Sequence, residues 1–217
     1  MNGRAVRGLI ANNALKLTSE RRARRRPLAA YYNAVFGRPR GVSVTTCSLR
    51  SYEADDANAL WEAARESVAE VFPWLPWCHA QYSMADAVEW IRSRASLAAE
   101  GREYTFAIVG TDGRFLGGCG LNQINRIHRF GNLGYWVRTS ATRHGVATEA
   151  VRQVADFAFG NTSLVRLEIV CAVGNGQSQR VAERAGAVRE GILRHRLLLH
   201  EQPIDAVMYS LVRAASR

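Results

Sequence analysis

Residues 133 to 158 are the stretch of this chain that most restricts its fold. Leu133-Gly134-Tyr135-Trp136-Val137-Arg138 reads as a strand, and Thr142-Arg143-His144-Gly145-Val146-Ala147-Thr148-Glu149-Ala150 as a short loop opening a helix. Ala147, Val151, Val154, Ala155 and Ala158 fall on one helical face, with Glu149, Arg152, Gln153 and Asp156 on the other. A strand, a glycine loop and a helix N-terminus in succession bring several unpaired backbone N–H groups to one point. The helix dipole adds roughly half a positive charge there. Such a point suits a pyrophosphate, and Arg143 and His144 can add side-chain donors. The plain alternative is a strand–loop–helix connection that binds nothing.

A length of 217 residues fits one domain, or one domain with an extension. No apolar run approaches the ~20 residues of a membrane span. The arginine cluster follows a weakly apolar segment, the reverse of a secretory signal, so a cytoplasmic protein is expected. Cys47, Cys78, Cys119 and Cys171 lie scattered, with no CxxC or Cys/His spacing. Neither disulfides nor a metal site is expected from them. The net charge of +10 is unevenly placed: residues 1–40 carry ten basic side chains against Glu20 alone. The remainder is close to neutral. Residues 1–41 therefore read as a basic, flexible extension, centred on Arg21-Arg22-Ala23-Arg24-Arg25-Arg26, and residues 42–217 as the folded domain. The extension is open to three readings: a contact with RNA or another acidic partner, a solvated arm, or a segment upstream of the start codon used in the cell.

In the domain, residues 44–50 read as a strand. Ala54-Asp55-Asp56 supplies capping carboxylates for a helix whose apolar stripe is Ala57, Leu60, Trp61, Ala64, Val68 and Val71. Two prolines in Phe72-Pro73-Trp74-Leu75-Pro76-Trp77 end it. Ser83-Met84-Ala85-Asp86 has the form of a capping box, leading a helix to about residue 99. The period then drops to two. Strands are expected at 104–108 and 115–121 around Asp112-Gly113, then at 133–137, 164–172, 194–199 and 206–212. A short helix at 175–185 closes on Gly186. The order is β-α-α-β-β-β-α-β-α-β-β.

This order, together with three segments, resembles the GNAT superfamily of acetyl-CoA-dependent N-acetyltransferases. Within it the chain is similar to the ribosomal-protein N-terminal acetyltransferase branch, from about residue 44 to residue 212. The segments are Gly134-Tyr135-Trp136-Val137, the loop Gly145-Val146-Ala147-Thr148-Glu149-Ala150, and Asn175-Gly176-Gln177-Ser178 with its helix through Gly186. The resemblance implies an α+β fold, with a mixed, mostly antiparallel sheet and helices on both faces. It implies acetyl-CoA as co-substrate, bound by Val137, Arg138, Arg143, His144, Gly145, Val146, Ala147, Thr148, Asn175 and Ser178. Ser178 would protonate the departing CoA thiolate and Asn175 would hold the pantetheine. Trp74, Trp77 and Tyr135 would border the acceptor, although packing accounts for them equally.

The chain departs from the family pattern in two places. Thr142 and Arg143 stand where the family loop prefers Gln or Arg and then Gly. The carboxylates that serve relatives as general base fall at Asn132 and Leu197. His79, His128, Glu53, Glu201 and Glu168 are candidates by location only, so the base stays unassigned. The acceptor expected from the branch is a protein N-terminal amine that attacks acetyl-CoA directly in a ternary complex, on an enzyme that is a monomer or homodimer. The alternatives are a small amine (antibiotic, polyamine or amino acid) or a non-catalytic acetyl-CoA-binding accessory protein. An arm that contacts ribosomal RNA would fit the first. Deleting residues 1–40 then reduces co-sedimentation with ribosomes and leaves acetylation of a short peptide intact; unchanged co-sedimentation removes that role from the arm.

Overall fold

A computed structural model describes residues 47–214. The arginine-rich extension and the start of the first expected strand lie outside the described residues. The elements are β1 (Cys47–Arg50), α1 (Asp56–Glu66), α2 (Val68–Val71), α3 (Met84–Ala99), β2 (Tyr104–Gly110), β3 (Phe115–Asn125) and β4 (Phe130–Val137). They continue as a 3-10 turn (Thr139–Ala141), α4 (Val146–Asn161), β5 (Arg166–Ala172), α5 (Gly176–Arg184), β6 (Val188–Leu199) and β7 (Gln202–Val212). Seven strands form one sheet in the order β1-β2-β3-β4-β5-β7-β6. Neighbours are antiparallel except β4 and β5, which run parallel.

Alternation along β2 shows that both faces of the sheet are covered. Ala107 and Val109 join Phe115 under α1 and α3, against Ala57, Leu60, Ala87 and Ile91. Phe106 points the other way and meets Phe157 of α4, ring centroids 5.0 Å apart. Helices on two faces explain why β2 reads as a nearly continuous apolar run. In α4 the buried stripe is Val146, Ala150, Val151, Val154, Ala155, Phe157 and Ala158. Ala147, expected on that face, is only half-buried at the helix mouth.

Ser83 and Asp86 form the expected capping box, with the Ser83 N–H donating to Asp86 Oδ2 at 2.8 Å and the Asp86 N–H to Ser83 Oγ at 3.2 Å. At α1 the capping differs from expectation. Asp55, in the N-cap position, makes no side-chain cap bond. Asp56 instead turns back to accept the Glu53 N–H at 2.8 Å and both terminal nitrogens of Arg50 at 2.6 Å, and so ties the helix to β1. The first helix does not run unbroken to residue 71 either. It breaks at Ser67, whose hydroxyl donates to the Ala63 carbonyl at 2.7 Å and accepts the Thr139 N–H at 3.0 Å.

Two hairpins are longer than their apolar pattern. β3 runs to Asn125 and β4 starts at Phe130, joined at their polar end by Asn132 Nδ2 donating to Asn122 Oδ1 at 2.9 Å. β6 begins at Val188, not residue 194. It is an edge strand, mostly exposed and interrupted by register shifts, so no alternation marks it.

Candidate active site

The central pair of strands parts company after three residues. β4 and β5 pair only through Phe130↔Arg166, Gly131↔Leu167 and Asn132↔Glu168. Beyond Asn132, β4 stays with β3 while β5 stays with β7 along its whole length. The strands splay, and the β5-facing backbone edge of residues 133–137 has no strand partner among the described residues. A cavity of about 270 Å³ opens there. Tyr135 and Val137 of β4 line it, with the 142–148 loop, Asn175 and Ser178 of the α5 start, and Trp74.

The loop has the form that anion binding requires. The first bond inside α4 runs from the Glu149 N–H to the Gly145 carbonyl at 3.0 Å, which leaves the N–H groups of Val146, Ala147 and Thr148 free of intrahelical partners. Gly145 has φ +79° and Arg143 φ +66°. A glycine adopts that conformation without strain and an arginine does not. Three arginines border the same cavity: Arg143, and from α5 Arg180 and Arg184. The two α5 arginines escaped the reading of the sequence. Their signal was the stripe Gln177, Arg180, Val181 and Arg184, spaced for one helical face.

At the inner end, Asn175 caps α5 by accepting the Ser178 N–H at Oδ1, 3.0 Å. The Ser178 hydroxyl lies 2.9 Å from Tyr135 Oη and 3.2 Å from Cys171 Sγ. Tyr135 also donates to the Ser178 carbonyl at 2.9 Å. Burial pushes the Tyr135 hydroxyl and the Cys171 thiol above their ordinary values, so both are protonated at neutral pH.

Other expected site residues are placed differently. Arg138 is buried and points its guanidinium at Glu66, with Nε donating at 2.9 Å and Nη2 closing the pair, while Nη1 donates to the Phe115 carbonyl at 3.2 Å. It braces the loop from behind and does not line the cavity. His144 is exposed and also lies outside the lining. Trp74 and Trp77 do not share a cavity. Trp77 stacks edge-on with Tyr82 and Trp136, centroids 5.3 Å apart in each case, in a second cavity of about 320 Å³. Tyr135 and Trp136 form the wall common to both. None of Glu53, His79, His128, Glu168 and Glu201 lines either cavity.

The loop is held by the α1–α2 corner. Glu66 takes Arg138 and accepts the Ser140 N–H at 2.7 Å; Glu70 accepts the Thr139 hydroxyl at 2.9 Å. The Arg138 hydrogen bond, helped by the Ser140 amide, holds the Glu66 carboxyl down at about 2.

The comparisons agree with this architecture. The family model described as "Acetyltransferase (GNAT) domain" matches residues 47–188. The chain belongs to the GNAT acetyltransferase family. It is thereby an acetyl-CoA-dependent N-acyltransferase. It is 30% identical over 171 residues to YdaF of Bacillus subtilis (strain 168), provisionally named a ribosomal N-acetyltransferase, covering 76% of this chain and 91% of that one. It is 26% identical over 138 residues to the ribosomal-protein-serine acetyltransferase of Escherichia coli (strain K12), 64% of this chain and 76% of that one. A solved structure of RimL, described as a ribosomal L7/L12 alpha-N-protein acetyltransferase in complex with coenzyme A, superposes with a TM-score of 0.72 at 22% identity. It covers 79% of this chain and 96% of that one, a likeness of fold. No helix among the described residues is long and apolar enough to cross a membrane.

Two consequences are measurable. A carboxylate held below its ordinary value contributes stability that is present in full above about pH 4.5 and is lost as the pH falls through about 2. Glu66→Gln therefore destabilises by about 1–2 kcal/mol at pH 7, and the deficit shrinks below pH 4.5 in denaturant titrations. Arg143→Gly relieves a left-handed arginine and raises stability by up to about 1 kcal/mol. The same change weakens acetyl-CoA binding in calorimetry.

Proposed function

We propose that the enzyme transfers the acetyl group of acetyl-CoA to the N-terminal α-amine of a protein, of the ribosomal-protein type. The observation that carries the transfer is the hydroxyl pair Ser178–Tyr135, 2.9 Å apart at the inner end of the splay. In this reading the pyrophosphate lies on the N–H groups of Val146, Ala147 and Thr148, where helix dipole and loop amides converge. Arg143, Arg180 and Arg184 neutralise its charge. The pantetheine runs along the open edge of 133–137, and the donor groups of Asn175 face it. That edge delivers the thioester carbonyl to a backbone N–H near Val137, which polarises it. Ser178 gives its proton to the leaving sulfur, and the proton released from the attacking nitrogen returns to Ser178 through Tyr135.

Direct attack by the amine fits better than a covalent relay. Cys119 and Cys171 are both buried, and burial pushes both thiols up, the opposite of an activated nucleophile. The names of YdaF and the Escherichia coli relative support the ribosomal-protein acceptor. In this reading the acceptor enters through the second cavity, which shares the Tyr135–Trp136 wall with the first, and its lining favours a protein terminus over a polyamine or a polycationic antibiotic. Several ammonium groups call for carboxylates, and the residues lining that cavity include no aspartate or glutamate.

Ser178→Ala tests the assignment. It lowers kcat by about 10²-fold, while calorimetry finds acetyl-CoA bound as before. A variant with unchanged kcat overturns the proton-donor role.

A further inference from the structure

Among the described residues, those lining the second cavity include no group that could serve as a base. It is walled by Tyr52, Trp77, Tyr82, Trp90 and Trp136, and floored by glycines of β3 and β4. Gly118 makes the floor possible: a Cβ there would lie 2.4 Å from Tyr52 Oη and 2.9 Å from Trp136 Nε1. Thr105 and Asn122 supply the polar side chains. The titratable groups in the lining are Tyr52, Tyr82, Tyr135 and Cys119, and burial pushes all four up, so they are neutral.

The charges packed behind the walls are already committed. Asp56, behind Tyr52, is paired with Arg50 at 2.6 Å. Arg94 sits 4.6 Å over the Trp90 ring and is paired with Glu103 at 2.8 Å. Beside Tyr82, Asp86 is occupied by Ser83. His79 stands behind Tyr82, ring centroids 6.5 Å apart, and is not part of the lining. The Tyr52 hydroxyl is buried with no hydrogen-bond partner among the described residues. An orphan of that kind is destabilising and marks a place for a polar group of a bound molecule.

We infer that this cavity receives the acceptor amine already uncharged, carried next to an aromatic or large aliphatic group, and that no enzyme side chain acts as general base. The inference rests on the acceptor role given to the cavity above. An ammonium ion entering this lining would be stripped of water without a counter-charge, a penalty of several kcal/mol. A neutral amine pays none of it.

The atoms then balance without a base. The nitrogen lone pair forms the C–N bond to the thioester carbonyl, and the C–S bond breaks with its electron pair on sulfur. Amide formation releases one proton from nitrogen, and the thiolate takes up one proton through Ser178. An ammonium would leave a second proton with nowhere in the cavity to go.

The test uses the full chain with saturating acetyl-CoA and two aromatic acceptors. Phenylalaninamide carries an α-amine, of pKa ~8, and phenethylamine a lysine-like amine, of pKa ~10. The inflection in kcat/KM against pH is expected to move with the acceptor, by about two pH units. A common inflection for both acceptors would assign the proton to an enzyme group, His79 first, and overturn the inference. Spermidine and an aspartyl-led peptide are expected at least tenfold below a phenylalanyl-led peptide in kcat/KM; equal rates also overturn it. Turnover of both free amines without any aromatic-led peptide removes the protein N-terminus as acceptor and leaves this inference standing. Acetylation of seryl- or alanyl-led peptides with neither aromatic amine accepted does the reverse, and no turnover of any amine overturns it outright.

Discussion

The parallel pairing of β4 with β5 stops after three residue pairs, and the site depends on that stop. Had the strands continued together past Asn132, their backbone groups would have bonded to each other, as strand edges do wherever they can. Because β5 stays with β7 and β4 with β3, the edge of 133–137 remains open. The α4 N-terminus stands at one end of the opening and the Ser178–Tyr135 pair at the other. The wall that Tyr135 and Trp136 share places the second cavity directly beside it.

A strained loop at the mouth of a splayed sheet needs bracing, and the α1–α2 corner supplies it. Glu66, Ser67 and Glu70 each hold a group of residues 138–140, across about seventy residues of sequence. Ser67 makes its contact at the point where the helix breaks. The same corner leads into Trp74 and Trp77, which border the first and second cavities respectively. One short segment therefore positions the loop and walls both cavities.

Much of this was legible in the residues. The loop 142–148, the capping box at Ser83 and Asp86, the order of elements and the pairing of Asn175 with Ser178 rest on local rules: helix capping, glycine at positive φ, and periodicity. Those rules fail where distant partners decide the outcome. The resemblance puts Arg138 among the residues around acetyl-CoA, and nothing local shows that its guanidinium pairs with Glu66, on a helix 72 residues earlier in the chain. Asp56 reads as a cap and serves as the ion-pair partner of Arg50. Trp74 and Trp77, three residues apart, are expected to border one acceptor site, yet they line different cavities.

By itself the sequence determined the elements, the family and the glycine loop that opens α4, since short-range sterics and hydrogen bonding fix these within a few residues. Only the tertiary structure decided how far β4 and β5 stay paired. It also brought Arg180 and Arg184 to the mouth of the same cavity as Arg143, and enclosed five aromatic rings around a space free of charge. These outcomes turn on which surfaces meet across the sheet. Side chains far apart in the chain settle that by packing, and no local pattern records it.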